Sequence, residues 1–331
     1  MKSRSGLLGR LLLAPIDVYA MMTILILLAQ IGIGERWSLV GLFNTFAQIF
    51  WLPALFFIPL ALLLRSRRTL VLLLPAVLAF LITFGDHFVP HASLTPTADQ
   101  TSFTLMTFNL FDDGRDSTST VTLIEDADAD VVAMQELNPR TAAALEEHFA
   151  TTYPYRALHS DKGQFRGLGV MSKFPLSDDR YWDYDWMSVS LGHQSVRIDM
   201  NGQTLTLYNL HPTHPGMQGR FFDATLRGQE IDALLKEARQ EAPPFMMVGD
   251  FNMPELSDDY AHIVHDYGFV DAYRVRGWGL GHTFTHGVVP FLRLDYMFLG
   301  EAVNIAEINV GPTSAGSDHR PLWAALVLQE Q

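Results

Sequence analysis

Apolar and polar positions divide this chain into two regimes. Before residue 90, three stretches at 18–33, 39–64 and 70–84 run with almost no charge. Their lengths bracket the roughly 20 apolar residues that a helix needs to cross a bilayer. Beyond residue 100 the apolar runs shorten. β-branched and aromatic residues recur at 103–108, 131–134, 169–171, 196–200, 204–209, 245–248, 296–299 and 322–327, which predicts strands. Segments 119–126, 141–149 and 223–239 carry apolar residues at helical spacing, the last through Leu226, Ile231, Leu234, Leu235 and Ala238. Strands and helices mixed in this way, with several hairpin-like neighbours, predict an α+β or mixed α/β sandwich and not a fully alternating doubly wound sheet.

The apolar front end predicts three transmembrane helices. A cleaved signal peptide would show one short apolar region, whereas here the Gly34-Glu35-Arg36-Trp37 turn and the Arg65-Ser66-Arg67-Arg68 loop separate three. The alternative is a set of apolar helices packed on the soluble part. Pro53, Pro59 and Pro75 are compatible with spans, because spanning helices tolerate proline. Lys2, Arg4 and Arg10 precede the first stretch, and Arg65, Arg67 and Arg68 lie between the second and third. Basic loops stay on the cytoplasmic side, so an odd number of spans places everything after about residue 90 outside.

Composition sharpens this division. Hydrophobic residues make up 48% of the 331 positions and charged residues 18%, high for a soluble protein, and the excess lies in the first 90. Cysteine is absent, which suits an oxidising exterior and a reducing cytosol equally. The reading is a membrane region at 1–90, a Pro-, Ser- and Thr-containing linker at 91–102 and a globular domain at 103–331. Of 23 basic and 36 acidic residues, 7 and 3 fall in the first 90, leaving 16 and 33 and a formal charge of −17. Such a field disfavours non-specific binding of duplex DNA.

Six short runs then carry chemistry: Leu105-Met106-Thr107-Phe108-Asn109, Gln135-Glu136, Leu210-His211, Gly249-Asp250-Phe251-Asn252, Arg293-Leu294-Asp295-Tyr296 and Ser317-Asp318-His319-Arg320-Pro321. Each puts an oxygen or imidazole group just after an apolar, strand-like stretch, where α/β proteins assemble sites. Singly, each has a plain structural reading, as a surface turn or a helix start. Together, carboxylates and an amide without a thiol make a hard-oxygen site suited to Mg²⁺ or Mn²⁺. Phosphate esters suit such a site, because their hydrolysis needs charge neutralisation, a positioned water and a stabilised leaving oxygen.

In this order the six runs resemble the endonuclease/exonuclease/phosphatase superfamily, over roughly residues 103–328. Its members include deoxyribonuclease-I-like nucleases, abasic-site endonucleases, inositol-polyphosphate phosphatases and neutral sphingomyelinases. The front end is similar to that of its bacterial membrane-anchored members. The resemblance implies a four-layer α/β sandwich, two mixed sheets face to face flanked by helices, anchored in a bacterial inner (cytoplasmic) membrane, and the basic clusters put its catalytic domain outside. It implies Glu136 as the principal metal ligand, with Asn109 beside it and Asp318 as a further metal-side carboxylate. Asp250 and Asn252 match the residues that orient water and bind the scissile phosphate; two apart on an extended segment, they point to one side. His319 matches the catalytic imidazole, Asp295 the carboxylate orienting it, and His211 the histidine that contacts phosphate.

His214 and His282 are weaker candidates for substrate binding, each with a loop reading beside it, and His286 shares the loop of His282. Arg227 reads as a structural salt bridge. The stretch Tyr181-Trp182-Asp183-Tyr184-Asp185-Trp186 reads either as a loop facing membrane or substrate or as an edge segment with packed aromatics. The implied activity is a membrane-anchored, Mg²⁺-dependent phosphodiesterase or phosphatase acting on an extracytoplasmic lipid headgroup or nucleotide. The alternatives are a nuclease acting on external DNA or RNA and an inactive membrane-tethered binding module.

Overall fold

The computed structural model describes residues 7–92, 94–97, 100–111, 117–161, 165–187, 189–217, 221–287 and 289–329. The chain divides into two compact units, Met1–Val89 with Leu256–Asp258, and Pro90–Glu255 with Asp259–Gln331.

Among the described residues of the first unit, two helices are long and apolar enough to cross a membrane: Leu7–Gly32, of 26 residues, and Arg67–Phe88, of 22. The first starts at Leu7, well before the position 18 that the hydropathy pattern marks. The middle stretch is not straight. Ser38–Thr45 and Ala47–Leu63 meet at 76°, as a broken span or a re-entrant loop, so three spans result only if the bent pair counts as one. At the break Phe46 has ψ 17°, and Thr45 Oγ1 donates back to the Gly41 carbonyl at 3.0 Å, a contact that bends helices. Asp17 is matched within this unit, accepting from Thr69 Oγ1 at 2.7 Å and facing Arg68 Nε at 3.4 Å. Lys2 and Arg4, part of the predicted basic cluster, lie outside the described residues.

The second unit contains, in chain order, β1 (Thr101–Asn109), β2 (Val131–Gln135), β3 (Tyr155–His159), β4 (Leu168–Ser172), β5 (Leu176–Trp182), β6 (His193–Met200) and β7 (Gln203–Leu210). There follow β8 (Phe245–Asp250), β9 (Val270–Asp271), β10 (Phe284–His286), β11 (Val289–Leu292), β12 (Asp295–Leu299), β13 (Val303–Val310) and β14 (Leu322–Leu328). Among the described residues they form one sheet in the order β13-β14-β1-β2-β4-β3, a second in the order β5-β6-β7-β8-β12-β9, and the hairpin β10-β11. Both sheets are mixed, through the parallel pairs β1 with β2 and β7 with β8.

Strand residues alternate faces, and this alternation builds the layers. On β1, Phe103 and Leu105 enter the core between the sheets, while Met106 and Phe108 pack outward with Leu123, Ile124, Ala142 and Leu145 of helices Thr118–Ala127 and Pro139–His148. On the second sheet, Leu205, Leu207, Met246, Val248, Met297 and Leu299 face the same inner core. Tyr208, Leu210, Met247 and Phe298 pack outward with Ile231, Leu234 and Leu235 of helix Thr225–Ala238. Helices, sheet, sheet and helix make the α+β sandwich that the pattern predicts.

Continued to the strand ends, the inward parity changes from apolar to polar. Thr107 and Asn109 on β1, Gln135 on β2, Asn209 on β7, Asp250 on β8 and Asp295 on β12 are all buried. Register brings these ends together: Asn109 pairs with Gln135, Gln135 with Leu168, His193 with Leu210 and Asp295 with Asp250. The loops after β1, β2, β3, β5, β7, β8 and β13 therefore share one end of the sandwich.

The segment 181–186 contains the end of an edge strand. On β5 the register shifts between Ser177 and Arg180. Asp178 pairs with Arg197 at 2.7 Å, Asp179 with His159 at 2.7 Å, and Arg180 with Glu237 while lying over the Trp182 ring.

Beneath the polar end lies a buried amide layer. Gln135 Nε2 donates to Asn209 Oδ1 at 2.6 Å and to Thr107 Oγ1 at 3.1 Å. Asn209 Nδ2 donates to the Met134 and Gly169 carbonyls at 3.0 and 3.2 Å and to Gln194 Oε1 at 3.2 Å, joining the two sheets. Replacing Asn209 by Ala strands several of these groups away from water, each worth about 1–3 kcal/mol when unsatisfied. Asn209→Ala should lower unfolding stability by about 3 kcal/mol, read from denaturant unfolding followed by tryptophan fluorescence, with loss of less than about 0.5 kcal/mol counting against the layer as a structural element.

Candidate active site

Backbone geometry at the strand ends sets the site. Glu136, directly after β2, has φ 57° and Asn252 has φ 51°, left-handed values that are strained for side chains other than glycine. Two glycines make room for these turns. A Cβ on Gly249 would lie 2.0 Å from the Leu210 carbonyl, and one on Gly167 would lie 1.9 Å from the Leu137 carbonyl. The first lets β7 approach β8 just before Asp250. The second lets the loop after β3 close on the residue that follows Glu136, where Leu137 N donates to Gly167 O at 2.9 Å.

Asn109 ties the acids together. Its Nδ2 donates to Glu136 Oε1 and to Asp250 Oδ2, both at 3.0 Å, while its Oδ1 accepts from Phe111 N at 2.9 Å. Asp250 Oδ1 accepts from Asn252 N at 2.8 Å, and Asn252 Nδ2 donates to the Pro212 carbonyl at 3.0 Å. The strand thus ends at Asp250 and closes a turn, in place of the extended segment expected through Asn252. In that turn the Asn252 side chain is drawn toward the loop that carries His211. Arg227 confirms its structural reading, donating through Nε to Asp259 Oδ2 at 2.7 Å and through Nη1 to the Asn252 carbonyl.

His319 lies between facing carboxylates of adjacent strands. Nδ1 is 2.7 Å from Asp295 Oδ2, and Nε2 is 3.5 Å from Asp250 Oδ2. Its backbone N donates to Ser317 Oγ, which donates in turn to the Asn109 carbonyl at 2.8 Å. The hairpin β10-β11 supports the same loop: Thr285 N donates to the Asp318 carbonyl at 2.7 Å, and the Phe284 ring meets the imidazole edge-on. Below Asp295, Arg293 is buried between Glu255 and Asp271 and over the Tyr296 ring, which anchors the start of β12.

Electrostatics follow from burial. Burial pushes the Glu136 carboxyl up to about 8, against the hydrogen bond from Asn109. It also raises Asp250 and Asp318. His211, buried with Nε2 3.7 Å from both Glu136 Oε1 and Asp250 Oδ2, is lowered by burial to about 4 and is neutral. Burial opposes a charge on His319 too, but Asp295 and Asp250 outweigh it and raise this imidazole to about 10.

The structure therefore brings Asn109, Glu136, His211, Asp250, Asn252, Asp295, Asp318 and His319 to one end of the sandwich. His214 is exposed and turns Nδ1 to the Pro215 carbonyl of its own loop. His282 is half-buried, one residue before Thr283, whose hydroxyl accepts from the Leu294 and Asp295 N–H groups. His286 is exposed on the hairpin. Sequence reasoning quoted Ser317 only within its run, gave Thr283 no role and did not single out Asn209 and Gln194; polar residues at inward parity on apolar strands were the available signal for Asn209 and Gln194.

Ligand atoms of Asp250, Asp295 and His319 lie within 4.8 Å of one another, a group able to hold a metal ion. Beside it, Glu136 Oε2 and Asp318 Oδ1 are buried with no hydrogen-bond partner among the described residues. Buried carboxylate oxygens without donors, in a chain without cysteine, fit a hard divalent cation.

Fold and site together define an α+β sandwich protein with an acid–imidazole centre at its strand ends. Residues 106–319 match the Endonuclease/Exonuclease/phosphatase family, and the chain belongs to that family, whose members hydrolyse phosphoester bonds. No curated protein matches the chain in sequence. Among solved structures, it is similar to the endonuclease/exonuclease/phosphatase from Beutenbergia cavernae DSM 12333, at 19% identity and TM-score 0.58 over 69% of this chain and 72% of that one. The corresponding protein from Bacteroides vulgatus is 20% identical, with TM-score 0.56 over 69% of this chain and all of that one. D. rerio TDP2, solved with a single-strand DNA product, is 16% identical, with TM-score 0.53 over 68% of this chain and 99% of that one.

The raised His319 pKa has a testable sign. Below 6.5 the imidazole is protonated whether the chain is folded or not, and its stabilisation is fully present; between 6.5 and about 10 only the folded state holds the proton. In chelator, stability should therefore fall as pH rises from 6.5 to 10, and NMR of the His319 imidazole should show it charged at pH 8. Asp295→Asn should bring its titration back toward neutrality; a wild-type midpoint below pH 7 would contradict the Asp295–His319–Asp250 electrostatics.

Proposed function

We propose that this chain is a membrane-anchored, Mg²⁺-dependent phosphoesterase that hydrolyses an extracytoplasmic phosphoester by in-line attack of water. The observation that carries the reading is the convergence of Asn109, Glu136, His211, Asp250, Asn252, Asp295, Asp318 and His319 at one end of the sandwich, in a chain of a phosphoester-hydrolysing family. Glu136 and Asp318, with Asn109 beside them, would hold the ion. When bound, it supplies positive charge for phosphate oxygens and relieves the crowding of buried carboxylates.

The remaining roles fall to the chain's own groups. His319, kept charged by Asp295, stabilises negative charge that builds on the phosphate. Asp250, whose position Asn109 and the Asn252 N–H fix, orients the attacking water. Neutral His211 and Asn252 face the phosphate from the loops after β7 and β8. Mn²⁺ would serve the same oxygen ligands. The acidic globular part and the apolar helices favour a lipid headgroup or a nucleotide as substrate. A nuclease is the second reading, favoured by the likeness in fold to TDP2 with its DNA product.

The test is hydrolysis by the purified full-length chain with Mg²⁺ titration, across phospholipid, nucleotide and polynucleotide substrates and the generic diester bis-p-nitrophenyl phosphate. Glu136→Gln and His319→Ala should each lower kcat on the diester by about 10²–10³-fold, the scale for losing an acid–base or electrostatic group. Equal rates in wild type and both variants would sink the assigned site. Plasmid cleavage with every phospholipid left intact would put the nuclease first.

Orientation rests on Arg65, Arg67 and Arg68, which two spans would place outside and three would keep in the cytoplasm. The bent pair Ser38–Thr45 and Ala47–Leu63 then acts as one broken span in a bacterial inner membrane. A reporter fused after Gln331 should be active on the outer side alone. Cytoplasmic activity would mean that the bent pair turns back.

A further inference from the structure

Helix Thr225–Ala238 packs on the second sheet through Ile231, Leu234, Leu235 and Ala238, but its first turns bury two charges in place of apolar residues, Arg227 and Glu230. Three apart, they share a face of the helix. Glu230 is fully buried. Its Oε2 accepts from Thr213 N at 2.7 Å and from Thr213 Oγ1 at 2.9 Å, and its Oε1 stands 2.9 Å from Nε2 of His193, also fully buried. Thr213 is two residues after His211. Arg227 reaches the neighbouring loop at the Asn252 carbonyl, and Asn252 Nδ2 closes the circuit on the Pro212 carbonyl between His211 and Thr213. Burying a charge costs several kcal/mol unless it is paired and hydrogen-bonded, and an apolar pair here would pack the helix as well. What apolar residues cannot do is fix the path of two loops by directed bonds.

We propose that Glu230 and Arg227 are positioning residues that hold His211 and Asn252 toward a common phosphate, Glu230 acting through Thr213 on His211 and Arg227 acting on Asn252. The helix is thus a clamp for two site loops that come from different strands, β7 and β8. Pro212 has no N–H to donate, and the neighbouring Thr213 N–H and the Asn252 carbonyl are both bonded to this helix, through Glu230 and Arg227. The role rests on the phosphoesterase reading for its activity readout, while its structural readout does not.

The test uses the full-length chain in detergent. Glu230→Gln keeps volume and an acceptor oxygen for Thr213 but removes the charge, and Thr213→Val removes only the hydroxyl bond. On the diester, Glu230→Gln should lower kcat at least tenfold with KM within twofold and with little change in Tm. Placed on His211→Ala, it should cost less than twofold more, because its effect passes through His211. The same fold loss on both backgrounds, or an unchanged kcat in Glu230→Gln, would overturn the proposal. If no substrate is turned over, the histidine NMR spectrum decides: the His211 imidazole signal, assigned with His211→Ala, should shift in Glu230→Gln and in Thr213→Val. An unmoved signal in both refutes the clamp whatever the enzyme's substrate.

Discussion

The centre of this structure is a charge problem. Glu136, Asp250, Asp295 and Asp318 converge where the two sheets end, and burial pushes Glu136, Asp250 and Asp318 toward their protonated forms. The imidazolium of His319, set between Asp250 and Asp295, offsets part of that cost. Asn109 offsets more by donating to two of the acids at once. Among the described residues, Glu136 Oε2, Asp295 Oδ1 and Asp318 Oδ1 are buried without a hydrogen-bond partner. Three loops at this end of the sandwich each meet part of the problem: the strained backbone at Glu136, the turn from Asp250 to Asn252, and the Ser317 bridge from His319 to β1.

The apolar core and the charged site are products of a single alternation. Residues 105 and 109 of β1, 246 and 250 of β8, and 299 and 295 of β12 have the same parity, so the register that buries Leu105, Met246 and Leu299 also aims Asn109, Asp250 and Asp295 inward. A slip of one residue would turn both sets outward together. The amide layer of Gln135, Asn209 and Gln194 separates the two regimes. It passes hydrogen bonds between the sheets where hydrocarbon ends and ionised groups begin.

How much of this was legible in the sequence follows from burial. The eight strands predicted from apolar runs are, among the described residues, the eight interior strands of the two sheets, each paired on both sides: β1, β2, β4, β6, β7, β8, β12 and β14. The four edge strands, β3, β5, β9 and β13, were missed because an edge leaves one side to solvent and its residues carry no continuous apolar run; β5 reads Leu-Ser-Asp-Asp-Arg-Tyr-Trp. Site residues at the ends of interior strands were visible as polar breaks. Ser317, Thr283 and Glu230 were not, since each acts through contacts with chain distant in sequence. The 76° bend at Phe46 was likewise hidden, as hydropathy measures length in residues and not direction.

The edge strand Leu176–Trp182 has a consequence for crowding. An open edge offers unpaired backbone groups to any second chain, and copies confined to a surface meet far more often than copies free in bulk solvent. Here the shifted register between Ser177 and Arg180 and the run of Asp178, Asp179 and Arg180, each engaged with its own chain, break the flat row of donors and acceptors that a foreign strand would need. The same residues that hid this strand from sequence reading therefore make it a poor template for a second chain.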